Sequence, residues 1–140
     1  MAATGGTAIA SPMTKAEKLR GLDIMLMVTA LRCRAGSDDF QGEFARFEAH
    51  HMAELNRAAQ DLTRESGGTG RDGGRDGRAL DRLSTAMANT YGAGHPWLGC
   101  HDLKGLAQKL ANSDGEEPLV AAADETLSGD GPANSQLAAR

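Results

Sequence analysis

Apolar residues recur at helical spacing in several stretches of this chain, and the first stretch is apolar on almost every face. In Gly21 to Cys33, GLDIMLMVTALRC, Leu22, Met25, Leu26, Thr29 and Cys33 fall three or four apart, while Ile24, Met27, Val28 and Leu31 fill the other sides. A helix apolar nearly all round belongs at the centre of a bundle. The run contains Asp23 and is shorter than the ~20 residues a bilayer core requires, so it predicts a buried helix and not a transmembrane one. Thr14 and Glu17 form a T-x-x-E capping box, which starts this helix at Lys15 and carries it to about Arg34, where Ala35-Gly36 ends it.

Ser37 offers a second cap, with Asp38 and Asp39 where a helix dipole favours negative charge. Phe40, Phe44, Phe47, His51, Leu55, Ala58 and Leu62 then form one stripe, and Glu43, Arg46, His50, Glu54, Arg57 and Asp61 line the opposite face. That pattern predicts one continuous amphipathic helix with a solvated charged side. The next segment, Ser66 to Gly77, is a glycine-rich connector. A third helix runs from Arg78 to about Tyr91 on Leu80, Leu83, Met87 and Tyr91, and Gly92 to Pro96 stops it. A fourth, about Leu98 to Asn112, carries Cys100, Leu103, Leu106, Ala107 and Leu110 on one side. The expectation is an all-α, small four-helix bundle-like domain over 15–112, with disordered tails at 1–14 and 113–140.

The length of 140 residues fits one domain, and 40% hydrophobic but only 4% aromatic residues limit it to a modest core. The net charge of -4 provides no general basic field, so nucleic acid is not an expected partner.

Each chemical motif fails on its context. Gly68-x-Gly70-x-x-Gly73 has the dinucleotide-binding form but follows a helix where the motif needs a strand. Glu48-x-x-His51 has the spacing of one di-iron ligand pair, yet no second copy exists, and His51 on the phenylalanine stripe reads as a buried, hydrogen-bonded histidine. Trp97-Leu98-Gly99-Cys100-His101 resembles a C-x-x-C-H haem-attachment motif with tryptophan in place of the first cysteine. No G-x-S-x-G elbow, P-loop, HExxH or EF-hand sequence is present. No catalytic residue, metal ligand or cofactor is therefore assigned. Arg32, Arg34, Arg71, Arg75 and Arg78 could form a local basic rim, which interspersed aspartates blunt.

Cys33 closes the first helix on its apolar side and Cys100 opens the fourth, so an antiparallel arrangement lets them meet. The expected disulfide would close a long loop, worth about 4 kcal/mol in the chain-entropy model, and implies an oxidising compartment. Two reduced cysteines packing as small hydrophobes are the competing arrangement. Beside this pair, Tyr91, His95 and Trp97 form the candidate binding surface, with Trp97 closing the end of the core as its alternative role. The N-terminus lacks a basic start and a long apolar run, but Ala8-Ile9-Ala10 has the small-x-small form of a cleavage site, which suggests a truncated export signal.

The segments VTALRCRAG, F-x-x-x-F-x-x-F-x-x-x-H-x-x-x-L-N and MANTYGAGHPWLGC together resemble a group of short, two-cysteine, helical bacterial exported proteins of unknown function, across about Gly21 to Leu110. Members of that group carry a full signal peptide, which this sequence lacks. Some bear the label adenosylhomocysteine hydrolase, an activity that would demand a Rossmann domain and a much longer chain. The resemblance implies export and supports the disulfide; it implies no catalytic residue. The expected function is a non-enzymatic helical interaction or envelope-associated module, periplasmic or secreted, with an unknown protein or envelope partner. A metal- or haem-binding bundle using His51 or His101, and a cytosolic regulatory module, are the alternatives.

Overall fold

Helix α1, Lys15–Arg32, is the axis of the molecule, and each of the other five helices packs on it. They are α2 (Gln41–His50), α3 (Met52–Glu65), α4 (Gly73–Tyr91), α5 (Cys100–Ala111) and α6 (Glu117–Thr126). The computed structural model describes residues 13–65 and 73–127, which hold six helices and no strand. Among them no helix is long and apolar enough to cross a membrane. The expected disorder at 1–12 and 128–140, the Ala8-Ile9-Ala10 stretch, Arg71 and the fingerprint glycines Gly68 and Gly70 lie outside the described residues.

The predicted capping box forms: Thr14 Oγ1 accepts from Glu17 N at 3.1 Å, and Glu17 Oε1 accepts from Thr14 N at 2.8 Å. Leu19, Leu22, Met25 and Leu26 are buried, and the Thr29 hydroxyl is satisfied within the helix by Met25 O at 2.7 Å. The run is not buried on every side, however. Met27 and Leu31 are 41% and 46% exposed. The helix also ends at Arg32 rather than Arg34, because the chain turns there: Arg34 N donates to Leu31 O and Gly36 N to Cys33 O.

The architecture departs from four helices in three places. The long amphipathic helix is two, broken at His51, which keeps its N–H bond to Phe47 O at 3.0 Å but adopts φ -109° and ψ 23°. Its ring explains the bend. Nε2 donates to Leu110 O at 2.8 Å, tying the break to a carbonyl in the last turn of α5 that also accepts from Ser113 N and Oγ. The helix also begins at Gln41, three residues beyond the expected first turn, with Asp39 Oδ1 accepting from Gln41 N.

The second departure is α4, which begins at Gly73 rather than Arg78. Glycine costs only about 1 kcal/mol relative to alanine inside a helix, and elongation of an existing helix is cheap, so the apolar segment downstream can carry a weak first turn.

The third is α6, in a stretch expected to be tail. Leu119, Ala122, Ala123, Thr126 and Leu127 lie at helical spacing and are all buried. Small alanines supply little hydrophobic area alone, yet they let a helix approach closely, and the partner surface at Gly21 is correspondingly bare. A Cβ on Gly21 would stand 3.1 Å from Leu127 Cδ1. Two ion pairs fasten the outer side, Lys15 with Glu116 at 2.9 Å and Lys18 with Asp124 at 2.8 Å.

Candidate functional site

Cys33 and Cys100 come together as the spacing of helix ends suggested: their sulfurs are 2.03 Å apart and their Cα atoms 5.8 Å, disulfide distance. The pair ties the end of α1 to the start of α5. Beside it, the turn after α4 carries the three expected surface residues, and the fold uses them differently from one another.

Tyr91 is 0% exposed and belongs to the core, so it offers no surface. Its ring stacks on His95, with centroids 5.2 Å apart and planes 25° apart, and Trp97 meets the other side of His95 edge-on at 4.4 Å. Gly94 at φ 120° supplies the left-handed step that folds His95 back over Tyr91. His95 is then held at both nitrogens. Nδ1 accepts from the backbone N–H of Trp97 at 3.2 Å and of Leu98 at 3.1 Å, and Nε2 donates to Thr126 O at 2.8 Å. Those roles fix the neutral tautomer, and burial holds the imidazole below its ordinary pKa against the raising effect of the Thr126 carbonyl. α5 starts at Cys100 rather than Leu98, at a cap in which Asp102 Oδ2 accepts from Gly99 N at 3.0 Å. His95 is thus a pin joining the loop to the end of α6.

The open surface is next to this pin. A groove of about 470 Å³ runs along the last turn of α1 and its exit, lined by Val28, Leu31, Arg32, Arg34, Ala35 and Gly92. Val28, Leu31 and Ala35 make its apolar floor, and two arginines stand over it. Arg34 Nη1 donates to Leu31 O at 2.8 Å, which places its guanidinium at the helix C-terminus, where the dipole favours a cation. Among the described residues neither Arg32 nor Arg34 pairs with a carboxylate. Of the expected basic rim, Arg32 and Arg34 belong to this groove, and Arg78 lies exposed on α4.

The signal missed in the sequence was the outer face of α1. Met27 and Leu31 are one helical turn apart and read as core in a run apolar all round; only the packed structure shows which side lacks a neighbour. The remaining histidines are engaged at contacts between elements. His51 is buried beneath Leu110 O, with Nδ1 3.7 Å from Glu54 Oε1. His50 Nε2 meets Asp114 Oδ1 at 2.8 Å, and His101 Nδ1 meets Asp38 Oδ1 at 3.2 Å. Among the described residues no group of three or more His, Cys, Asp or Glu side chains could hold a metal ion.

An apolar floor under two guanidinium groups unpaired with carboxylate can take an apolar side chain and an adjacent carboxylate together. The groove has no nucleophile or acid–base pair among its lining residues. Compared with family models, with curated proteins and with solved structures, the chain matches none.

Proposed function

We propose that this protein is a non-enzymatic helical interaction module of the cell envelope, periplasmic or secreted, that docks an acidic, apolar segment of a partner protein in the Val28–Gly92 groove. The observation that carries this reading is the groove itself: exposed Leu31 beside Arg32 and Arg34, unpaired with any carboxylate among the described residues. Exposed large apolar side chains rimmed by charge are a recurrent feature of docking sites. Export rests on the cysteine pair at disulfide distance and on the resemblance to two-cysteine exported proteins.

The test uses two short fluorescent peptides, one alternating leucine with glutamate and one alternating leucine with lysine. The acidic peptide binds, binding weakens about tenfold or more in Arg32→Ala/Arg34→Ala, and it falls with added salt. Equal binding of the basic peptide removes the proposal. Alkylation of freshly isolated native protein tests the address, since two free thiols would favour a cytosolic regulatory module instead.

A further inference from the structure

The groove and the cysteine pair occupy the same corner of the molecule. Of the residues lining the groove, Arg32, Arg34 and Ala35 stand within two positions of Cys33. Beyond Cys33 the chain leaves α1 with little burial: Arg34, Ala35, Gly36, Ser37 and Asp39 are exposed, and Asp38 is half-buried. The backbone bonds of this exit turn are local. Arg34 N donates to Leu31 O, Gly36 N to Cys33 O and Asp39 N to Gly36 O, which curls the segment without fixing it to another helix.

Side chains tie the exit turn to the first turn of α5. One link is the pairing of Cys33 with Cys100, and another is the contact of Asp38 Oδ1 with His101 Nδ1 at 3.2 Å. The His101 side chain is 87% exposed, and a pair so solvated contributes little. The sulfur link therefore carries the attachment. The rest of the scaffold is held elsewhere: α1 packs more heavily on α3, α4 and α6 than on α5, while α5 packs mainly on α2, with His51 bonded to Leu110 O near its far end. Opening the sulfur pair loosens the exit turn, and the buried Leu19, Leu22, Met25 and Leu26 keep their partners.

We propose, building on the docking function above, that the groove is gated by the redox state of Cys33 and Cys100: the disulfide assembles it, and a dithiol that reduces the pair disassembles it. A thiolate of the dithiol attacks one sulfur of the pair, and the other leaves as a thiolate and takes up a proton. The second thiol of the reductant gives up its proton, closes a disulfide with the first, and releases the remaining cysteine as a thiol. Two electrons and two protons pass to the protein, and the dithiol is oxidised to a disulfide. Assembly is the same exchange in reverse with a disulfide donor, so a chain made with free thiols docks its partner only after reaching an oxidising compartment. Without its anchor, the turn holds Arg34 and Ala35 against Val28 and Leu31 for a smaller fraction of the time, and apparent affinity falls with that fraction.

The experiment measures binding of the acidic fluorescent peptide to the full-length protein when oxidised, when reduced by dithiothreitol, and after reoxidation. Reduction is expected to weaken binding about tenfold or more with the helical circular dichroism retained, and reoxidation to restore it. Amide exchange should quicken over residues 33–39 on reduction and stay unchanged in α6. Cys33→Ser/Cys100→Ser, with no reductant present, is expected to bind like the reduced protein. Equal affinity in the oxidised and reduced forms, unchanged exchange over 33–39, or tight binding by the double serine variant would each overturn the gate while leaving the docking function intact. Loss of the helical signal together with binding would overturn it too, because the whole fold and not the turn would then carry the effect. If the oxidised protein itself fails to bind the peptide, the docking function falls and the gate falls with it.

Discussion

His95 and Asp23 are both titratable groups pressed toward their neutral forms by burial, and they differ in how completely the fold satisfies them. His95 is surrounded by donors and an acceptor that match one tautomer, so its neutrality costs no unmade hydrogen bond. Asp23 has an arginine on one oxygen, an orphaned second oxygen and another carboxyl as its neighbour. A fully matched polar residue acts as a fastener. A partly matched one makes the packing around it depend on a proton.

The two groups give opposite responses to pH. The folded state holds His95 below its ordinary 6.5, so on acidification the unfolded chain takes up the proton first. The stability His95 contributes is complete above about pH 6.5 and is lost as the pH falls. Asp23 is protonated in the fold up to about 8, against 3.8 for an unperturbed aspartate. Its contribution is complete below about pH 4 and is lost as the pH rises through 8.

The largest expected effect removes the covalent frame that both regions share. Replacing Cys33 and Cys100 together by serine should lower the unfolding free energy by about 4 kcal/mol in urea titrations, given the 67-residue separation they span. A loss below about 1 kcal/mol would mean that the noncovalent contacts alone set the corner. Next comes His95→Ala, which strands the Trp97 and Leu98 N–H groups, leaves the Thr126 carbonyl only the 3.4 Å bond from Tyr91 OH and removes the ring stack. About 3 kcal/mol should be lost, with α6 becoming the first site of limited proteolysis. Wild-type proteolysis kinetics would show that His95 is not the pin. Asp23→Asn is expected to change the shape of the pH–stability curve more than its height at neutral pH, removing the alkaline decline and leaving the acid one. Retention of the alkaline decline would assign it to another group. The smallest effect belongs to the groove: Arg32→Ala should shift stability by no more than about 0.5 kcal/mol while weakening binding of the acidic peptide. A large thermal destabilisation would mark Arg32 as structural.

Much of the frame was legible in the sequence. Thr14 with Glu17 gave the start of α1 because a capping box is local chemistry, and the apolar run gave its central place because no solvated helix carries so many large side chains. The meeting of Cys33 and Cys100 followed from helix ends and direction. What was missed lies where a segment's character depends on its neighbours. Local periodicity favours a continuous helix through His51, but a carbonyl at the end of α5, 59 residues later in the chain, bends it there. The segment containing Leu119 to Leu127 is poor in large apolar groups and cannot order itself alone; it folds because Gly21 lets it approach closely.

The sequence by itself determined that the chain is helical, where α1 begins and which helix the others surround, since caps and periodicity act within a few residues. Only the tertiary structure decided that Met27 and Leu31 face outward, that Tyr91 faces inward, and that Asp23 is buried. Those outcomes depend on which surfaces meet across dozens of intervening residues, and hydrophobic attraction, being nondirectional, leaves that choice to packing and to the few polar groups that must find partners.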